Sequence, residues 1–359
     1  MKKEKLNNKI NMLNNKSRIA VIIPAFNAET KIKSVIDGIP NFIRLIIVVD
    51  DGSTDSTAKI VEKINLKKLH LIRHKKNLGV GGAMLTGYSY ALQFDIDIFV
   101  KIDADGQMDS KHIPLLIDQI IKGESDYTKG NRFLHTQELN NMPIIRRIGN
   151  LGLTFLTKIS SGYWDIFDPS NGYTAIHKDV LRYIDYRNID LNYFFETSFL
   201  LELRRINTKV SDVPIPAKYD YDEKSNLSTI HSFINFPGKL LIGFLRRISR
   251  QYFLFDFNAV SIYIIFGFLL LIFGILWGIL KWYSSIKSGI LASTGTVLIA
   301  VLPIIIGFQM IIQAISLDIS SMPFKSMRSR KYYELLKPNL STSLENKSFY
   351  EDKILNKKK

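Results

Sequence analysis

Phe99-Val100-Lys101-Ile102-Asp103-Ala104-Asp105-Gly106-Gln107 is the stretch on which the fold turns. An apolar run from Ile96 to Ile102 stops at two aspartates spaced i, i+2. Such a run, closed by the turn signal Asp105-Gly106, reads as a buried strand. A strand ending near Asp103 leaves both carboxylates just past its C-terminal edge. In open α/β sheets that edge is where ligands bind. Two carboxylates suit a hard divalent cation, which takes oxygen ligands and leaves room for phosphate oxygens. A metal–diphosphate site is the first expectation. An Asp-x-Asp alone also fits a solvated turn, so the rest of the chain carries the decision.

Upstream of that stretch, strands and helices alternate. Ile19–Pro24, Leu45–Val49 and Leu69–Arg73 read as strands. Helices are expected over Glu29–Ile39, from a cap at Ser53, Thr54 or Asp55 through Lys63, and from Ala83 to about Phe94. This spacing predicts an α/β domain, a mostly parallel sheet covered by helices on both faces. Its strands end in polar residues on one edge: Asn27, then Asp50 and Asp51, then Asp103 and Asp105. One acidic pair could accept bonds from a base or ribose hydroxyl while the other holds metal on a diphosphate. The glycine turn Asn77-Leu78-Gly79-Val80-Gly81-Gly82 fails as a dinucleotide fingerprint, because G-x-G-x-x-G would need glycine at Met84. It also lacks the Lys-Ser/Thr of a P-loop.

The chain has 359 residues, a net charge of +15 and no cysteine. Disulfides and thiolate metal sites are therefore excluded. Residues 1–18 carry six Lys/Arg against one Glu and read as a basic disordered arm without the apolar core of a signal peptide. A catalytic domain is expected over 19–219, a loop and amphipathic juxtamembrane helices over 220–257, and a basic, flexible cytoplasmic tail over 318–359. Residues 258–280 and 288–317 contain no charge. Each exceeds the roughly 20 apolar residues that cross a bilayer, so a transmembrane hairpin with a loop at Lys281–Lys287 is expected. Basic residues flank it on the outer sides (Lys239, Arg246, Arg247 and Arg250; Lys325, Arg328, Arg330 and Lys331). The positive-inside rule then places both termini and the catalytic domain in the cytoplasm. Nucleic acid fits worst, since the charge clusters flank the spans rather than one soluble face.

Val48-Val49-Asp50-Asp51-Gly52-Ser53-Thr54-Asp55, followed by Asp103-Ala104-Asp105-Gly106-Gln107, resembles the family 2 glycosyltransferases of GT-A fold. The polyprenyl-phosphate branch is closer still, with Asn77-x-Gly79, Gly130-Asn131-Arg132 and Asn171-Gly172-Tyr173 in the expected order. The resemblance covers residues 19–216 and implies a metal-dependent, inverting transfer from a nucleotide sugar, with Mg²⁺ or Mn²⁺ as the ion. It assigns Pro24, Phe26, Glu29 and Gly79 to the nucleotide, with Asp50 or Asp51 reading the base. It assigns Asp103, Asp105 and Gln107 to the metal, and Arg132 with Arg146 or Arg147 to the acceptor phosphate. Met108 stands where relatives often carry histidine.

The middle of the chain leaves two carboxylates with open roles. Asp168 could bind sugar hydroxyls or place the acceptor, or simply start the Asp-Pro turn. Glu196, on a helix expected over Tyr193–Arg205, could be the base for a hydroxyl acceptor or a structural residue. A phosphate monoester is already ionised near neutral pH and needs no base, whereas a hydroxyl does. The expected partners are thus a nucleotide sugar, a polyprenyl phosphate of undecaprenyl or dolichol type, and the lipid bilayer. A homo-oligomer, a hydroxyl acceptor on a lipid-linked glycan, and a non-catalytic sugar-nucleotide scaffold stay open as alternatives.

Overall fold

A computed structural model of the protein describes residues 18–132, 144–216 and 229–329. Seven strands form one sheet in the order β3-β2-β1-β4-β6-β5-β7. They are β1 (Ile19–Ala25), β2 (Leu45–Asp50), β3 (Leu69–Arg73), β4 (Ile98–Lys101), β5 (Tyr127–Asn131), β6 (Thr174–His177) and β7 (Val210–Pro214). β3, β2, β1 and β4 run parallel, as the apolar runs predict, and β7 is parallel to β5. β6 alone is antiparallel, to both β4 and β5.

Every residue of β1 and β2 is buried. The period-2 alternation of a strand sorts their side chains into two cores, one per face. Ala20, Ile22, Ile47 and Val49 join one core; Ile19, Val21, Ile23, Ile46 and Val48 join the other. Both faces are covered, so the runs are continuously apolar rather than alternating. The registers Ala25↔Asp50 and Ile22↔Lys101 bring the chain just beyond β1, β2 and β4 to one sheet edge.

The helices in the sheet-bearing part are α1 (Ile32–Asp37), α2 (Thr57–Glu62), α3 (Val80–Ala91), α4 (Ile113–Ile121), α5 (Ile144–Ser161), α6 (Lys178–Leu181) and α7 (Phe195–Arg205). α3 begins at Val80, one turn ahead of the expected Ala83. Its glycines discourage a helix on propensity, but backbone contacts from outside the helix anchor them here. Three more α-helices follow among the described residues: α8 (Thr229–Ser249), α9 (Ala259–Ser288) and α10 (Thr294–Ser320).

The chain divides into two compact units, one running to Gly243 and resuming at Pro323, the other Phe244–Met322. In the first, the returning chain is part of the core. Met327 is buried in the cluster that holds Tyr127, Tyr163 and Val210. Its N–H donates to Asp126 Oδ2 at 2.7 Å, and the Ser326 hydroxyl donates to Gly123 O at 2.6 Å. The Arg328 guanidinium donates to the carbonyl of Ile120, near the end of α4. A flexible tail starting at Asp318 therefore does not hold for residues 318–329. Helix runs to Ser320, and buried polar partners fix Ser326 to Arg328.

In the second unit, α9 and α10 are each long and apolar enough to cross a membrane. Only 22% and 11% of their most apolar windows are buried, unlike the helices of a soluble core. They pack through small residues, Gly267 against Gly307 and Gly274 against Ala300. The loop expected at Lys281–Lys287 is instead helix. α9 continues to Ser288 and stops at Gly289, whose φ of +67° is a left-handed cap that glycine adopts without penalty. At the other end of the unit, Arg247 pairs with Asp318 through two contacts, 2.6 and 3.0 Å. Tyr252 Oη donates to the same carboxylate at 2.6 Å. Tyr252 lies in a π-helical turn, Arg250–Leu254.

Candidate active site

A cleft of about 430 Å³ opens at the sheet edge where β1, β2 and β4 end. Pro24 and Phe26 come from the end of β1, Asp51 from β2, Gly79 from the glycine turn, and Asp103 and Asp105 from β4; all six line it. Glu29, Asp50, Gln107, Arg132 and Asp168 are not among its lining residues. Pro24 is buried, whereas Phe26 is 48% exposed and stands open to a flat ligand. Asn27 takes a positive φ of 50° and accepts from Thr54 N at 2.9 Å, tying the β1 loop to the β2 loop. Glu29 does the same, accepting from Ser56 N at 2.9 Å.

The two aspartates after β2 differ in setting. Asp50 is buried, accepts from Ser53 N at 3.1 Å and lies 3.4 Å from Arg73 Nε. Asp51 builds the glycine turn. Its Oδ1 accepts from Leu78 N at 2.9 Å and lies 2.6 Å from His74 Nδ1; its Oδ2 accepts from Gly79 N at 2.8 Å. His74 bridges on to Thr86 Oγ1 at 2.9 Å. Gly79 has φ +89°, and a Cβ there would strike the carbonyl of Leu191 and the Asn192 side chain. Only glycine lets the turn approach this closely.

Asp103 is backed by a buried ion network. Lys101, the last residue of β4, is 1% exposed. Its Nζ is 3.0 Å from Asp103 Oδ1 and 2.7 Å from Glu196 Oε1. Burial opposes the Lys101 charge, yet Asp103 and Glu196 outweigh it and raise the pKa above the ordinary lysine value. Burial likewise opposes the Glu196 charge, but Lys101 and Lys129 prevail and lower its pKa. Both groups are therefore ionised at neutral pH. Lys129, on β5, donates to the carbonyl of Asn171, and burial pushes its pKa down to about 8. The Asp105 carboxylate accepts from Gln107 N at 2.9 Å, which closes the turn. Met108 folds back under it, its Sδ 3.3 Å from Asp103 N.

Two carboxylates at the cleft edge are the donor chemistry that Mg²⁺ or Mn²⁺ prefers. Among the described residues no three His, Asp or Glu side chains gather to hold a metal. Asp103 and Asp105 thus fit an ion that keeps water or phosphate oxygens in its other positions, as Mg²⁺ does at nucleotide sites.

Beyond the cleft lining, Arg132 and Asp168 form one bidentate pair, Nε–Oδ2 2.7 Å and Nη2–Oδ1 3.1 Å, with Asp168 fully buried. Asn171 Nδ2 donates to Gly130 O at 2.8 Å, which ties the two Asn- and Gly-bearing motifs together. Arg146 and Arg147 lie in the first turn of α5, and their side chains are outside the described residues. Sequence reasoning missed Lys101, Lys129, His74 and Asp212. Asp212 accepts from Asn131 Nδ2 at 2.7 Å and Phe167 N at 2.8 Å, and burial pushes its pKa up to about 6. A lysine inside an apolar strand was the available signal for Lys101, since a buried lysine needs a partner. Asn192 and Tyr193, which also line the cleft, carried no signal.

The family model described as Glycosyl transferase family 2 matches residues 20–185. The UDP-N-acetylglucosamine–dolichyl-phosphate N-acetylglucosaminyltransferase of Methanococcus voltae is 34% identical over 216 residues, 56% of this chain and 86% of that one. The dolichol-phosphate mannosyltransferase of Pyrococcus furiosus is 28% identical over 239 residues, 65% of this chain and 63% of that one. Among solved structures, glucosyl-3-phosphoglycerate synthase from Mycobacterium tuberculosis gives a TM-score of 0.51 at 18% identity, over 66% of this chain and 82% of that one, a likeness of fold. The strand order, the acidic cleft and the extent of the sequence match agree: the chain is a glycosyltransferase of GT-A fold and belongs to glycosyl transferase family 2.

Proposed function

We propose that the chain moves a sugar from a UDP- or GDP-linked donor to a polyprenyl phosphate at the cytoplasmic face of a membrane. The observation that carries the choice of acceptor is the buried pairing of Glu196 with Lys101, 2.7 Å apart. A hydroxyl acceptor needs a general base able to take its proton. Glu196 is ionised but bound to an ammonium, and Asp168 is buried against Arg132. Both carboxylates open to that role are committed to cations. A phosphate acceptor needs only to be oriented. Arg132, held in place by Asp168, and Arg146 or Arg147 are assigned that task, which the planar guanidinium suits. Relatives whose names specify dolichyl and polyprenyl phosphates support the same reading.

Phe26 and the Asp51-built glycine turn are assigned the nucleotide, and Asp103 and Asp105 the metal. When bound, Mg²⁺ or Mn²⁺ would stabilise charge on the departing nucleoside diphosphate. Lys101 fixes the direction of Asp103, and the cleft walls hold the sugar for single displacement with inversion. α9 and α10 would anchor the enzyme in the bilayer. The chain on either side of that pair belongs to one compact unit, which supports both ends lying on the catalytic side.

The test is purified full chain with Mg²⁺ or Mn²⁺, a panel of UDP- and GDP-sugars, and a short polyprenyl phosphate, read by mass spectrometry. A new polyprenyl-monophosphate sugar is expected, lost with chelator and cut by at least about a hundredfold in Asp103→Asn. Wild-type turnover in Asp103→Asn would overturn the metal assignment. Donor hydrolysis without a glycolipid would shift the acceptor to a hydroxyl.

A further inference from the structure

The segment Asp190–Phe194, just ahead of α7, makes contact in two directions. Toward the cleft, the carbonyl of Leu191 accepts from Gly81 N at 2.8 Å and Gly82 N at 3.2 Å. Asn192 and Tyr193 line the cleft, Tyr193 with 57% exposure. In the other direction the segment meets α8, the helix that precedes the two spans. Lys239 Nζ is 2.5 Å from Asp190 Oδ2 and 5.4 Å from the centre of the Phe194 ring. Phe236 stands edge-on to Phe194, ring centres 5.1 Å apart. The other oxygen of Asp190 accepts from Asn192 N at 2.8 Å, so the carboxylate that Lys239 grips also turns the backbone into the cleft.

The glycine turn has one side-chain tie of its own, Asn77 Oδ1 accepting from Gly79 N at 2.9 Å. Gly79, Gly81 and Gly82 carry no side chains, and α3 has no side-chain cap at its start. Its ties from outside come from Asp51 on one side and Leu191 on the other. Whatever moves Leu191 moves the turn.

We propose that Asp190–Phe194 couples α8 to the donor cleft, with Lys239 as the positioning residue. This rests on the reading of the cleft as the nucleotide-sugar site. With α8 seated, Lys239 and Phe236 hold the segment; Leu191 then anchors the turn, and Asn192 and Tyr193 form a fixed wall. With α8 displaced, Asp190 loses its cation, Phe194 its packing, and the donor site loosens. Donor affinity is thereby tied to the seating of the helix that leads to the membrane, so the enzyme commits a nucleotide sugar where the lipid acceptor is present.

The test uses the full chain in phospholipid nanodiscs and compares wild type with Lys239→Met, Lys239→Arg and Phe236→Leu. Hydrogen exchange is read at 79–83 and at 190–195, together with the Kd for UDP and GDP in Mg²⁺. Lys239→Met is expected to speed exchange in both segments, and to weaken nucleotide binding, by about three- to tenfold. Lys239→Arg should restore both, and Phe236→Leu should give a smaller change of the same pattern. A purely local contact would alter 190–195 and leave 79–83 at the wild-type rate, which overturns the coupling. If wild type binds neither nucleotide while the two segments still respond together, the donor reading fails and the mechanical coupling stands.

Discussion

Asp212 shows how far a single carboxylate can be pushed by its surroundings. It lies among Asn131, Phe167 and the Asp168 charge, and burial lifts its pKa from 3.8 to about 6. Between those values the folded state keeps a proton that the unfolded chain has released. Its contribution to stability is complete below the unfolded value and is lost as pH rises through about 6. Asp212→Asn retains acceptors for both hydrogen bonds and removes the ionisation. The variant should match wild type below about pH 4 and exceed it by on the order of 3 kcal/mol above about pH 6.5. Urea unfolding across that range checks it, and a pH-independent difference would contradict it. Such a residue could not be picked out in the sequence. Its environment comes from β5 and the loop before β6, and Asp212 faces Asn131 from 81 positions away. The Lys101–Glu196 pair, 95 positions apart, is unreadable for the same reason. The acidic residues that line the cleft were readable, because each lies within three positions of the end of an apolar run that marks its strand.

At the scale of elements, the glycine turn and α3 act as one part. Gly79→Ala would place a Cβ against Leu191 and Asn192 at a backbone angle that L-residues resist. The expected result is a donor KM raised by about tenfold or more, with kcat changed less, since the turn binds rather than reacts. Steady-state kinetics with varied donor would show it; an unchanged KM would mean that the turn does not touch the nucleotide. Element boundaries matched the sequence where apolar runs were sharp, as in β2, which spans Leu45–Asp50 against the expected Leu45–Val49. They departed where a distant partner decides. α3 starts early because Asp51 and Leu191 fix its glycines. α9 runs past its charged residues because nothing before Gly289 stops it. The antiparallel placement of β6 depends on the long excursion between β5 and β6, which carries no local signal.

At the scale of the molecule, the absence of cysteine makes topology directly measurable. Leu291, 92% exposed between α9 and α10, and Lys63, at the end of α2 in the sheet-bearing unit, can each be changed to cysteine. In sealed cells, Leu291→Cys should react with a membrane-impermeant maleimide and Lys63→Cys only after lysis. The reverse pattern would invert the assigned orientation. A further consequence attaches to Met327. Its side chain closes the core beside Tyr127 and Val210, and its N–H supplies a partner to buried Asp126. The helices α9 and α10 are both translated before it. The ribosome therefore delivers this piece of the core only after that helix pair has been made. Synthesis has a built-in order: the α9–α10 pair comes first, and the core position that Met327 fills is supplied afterwards.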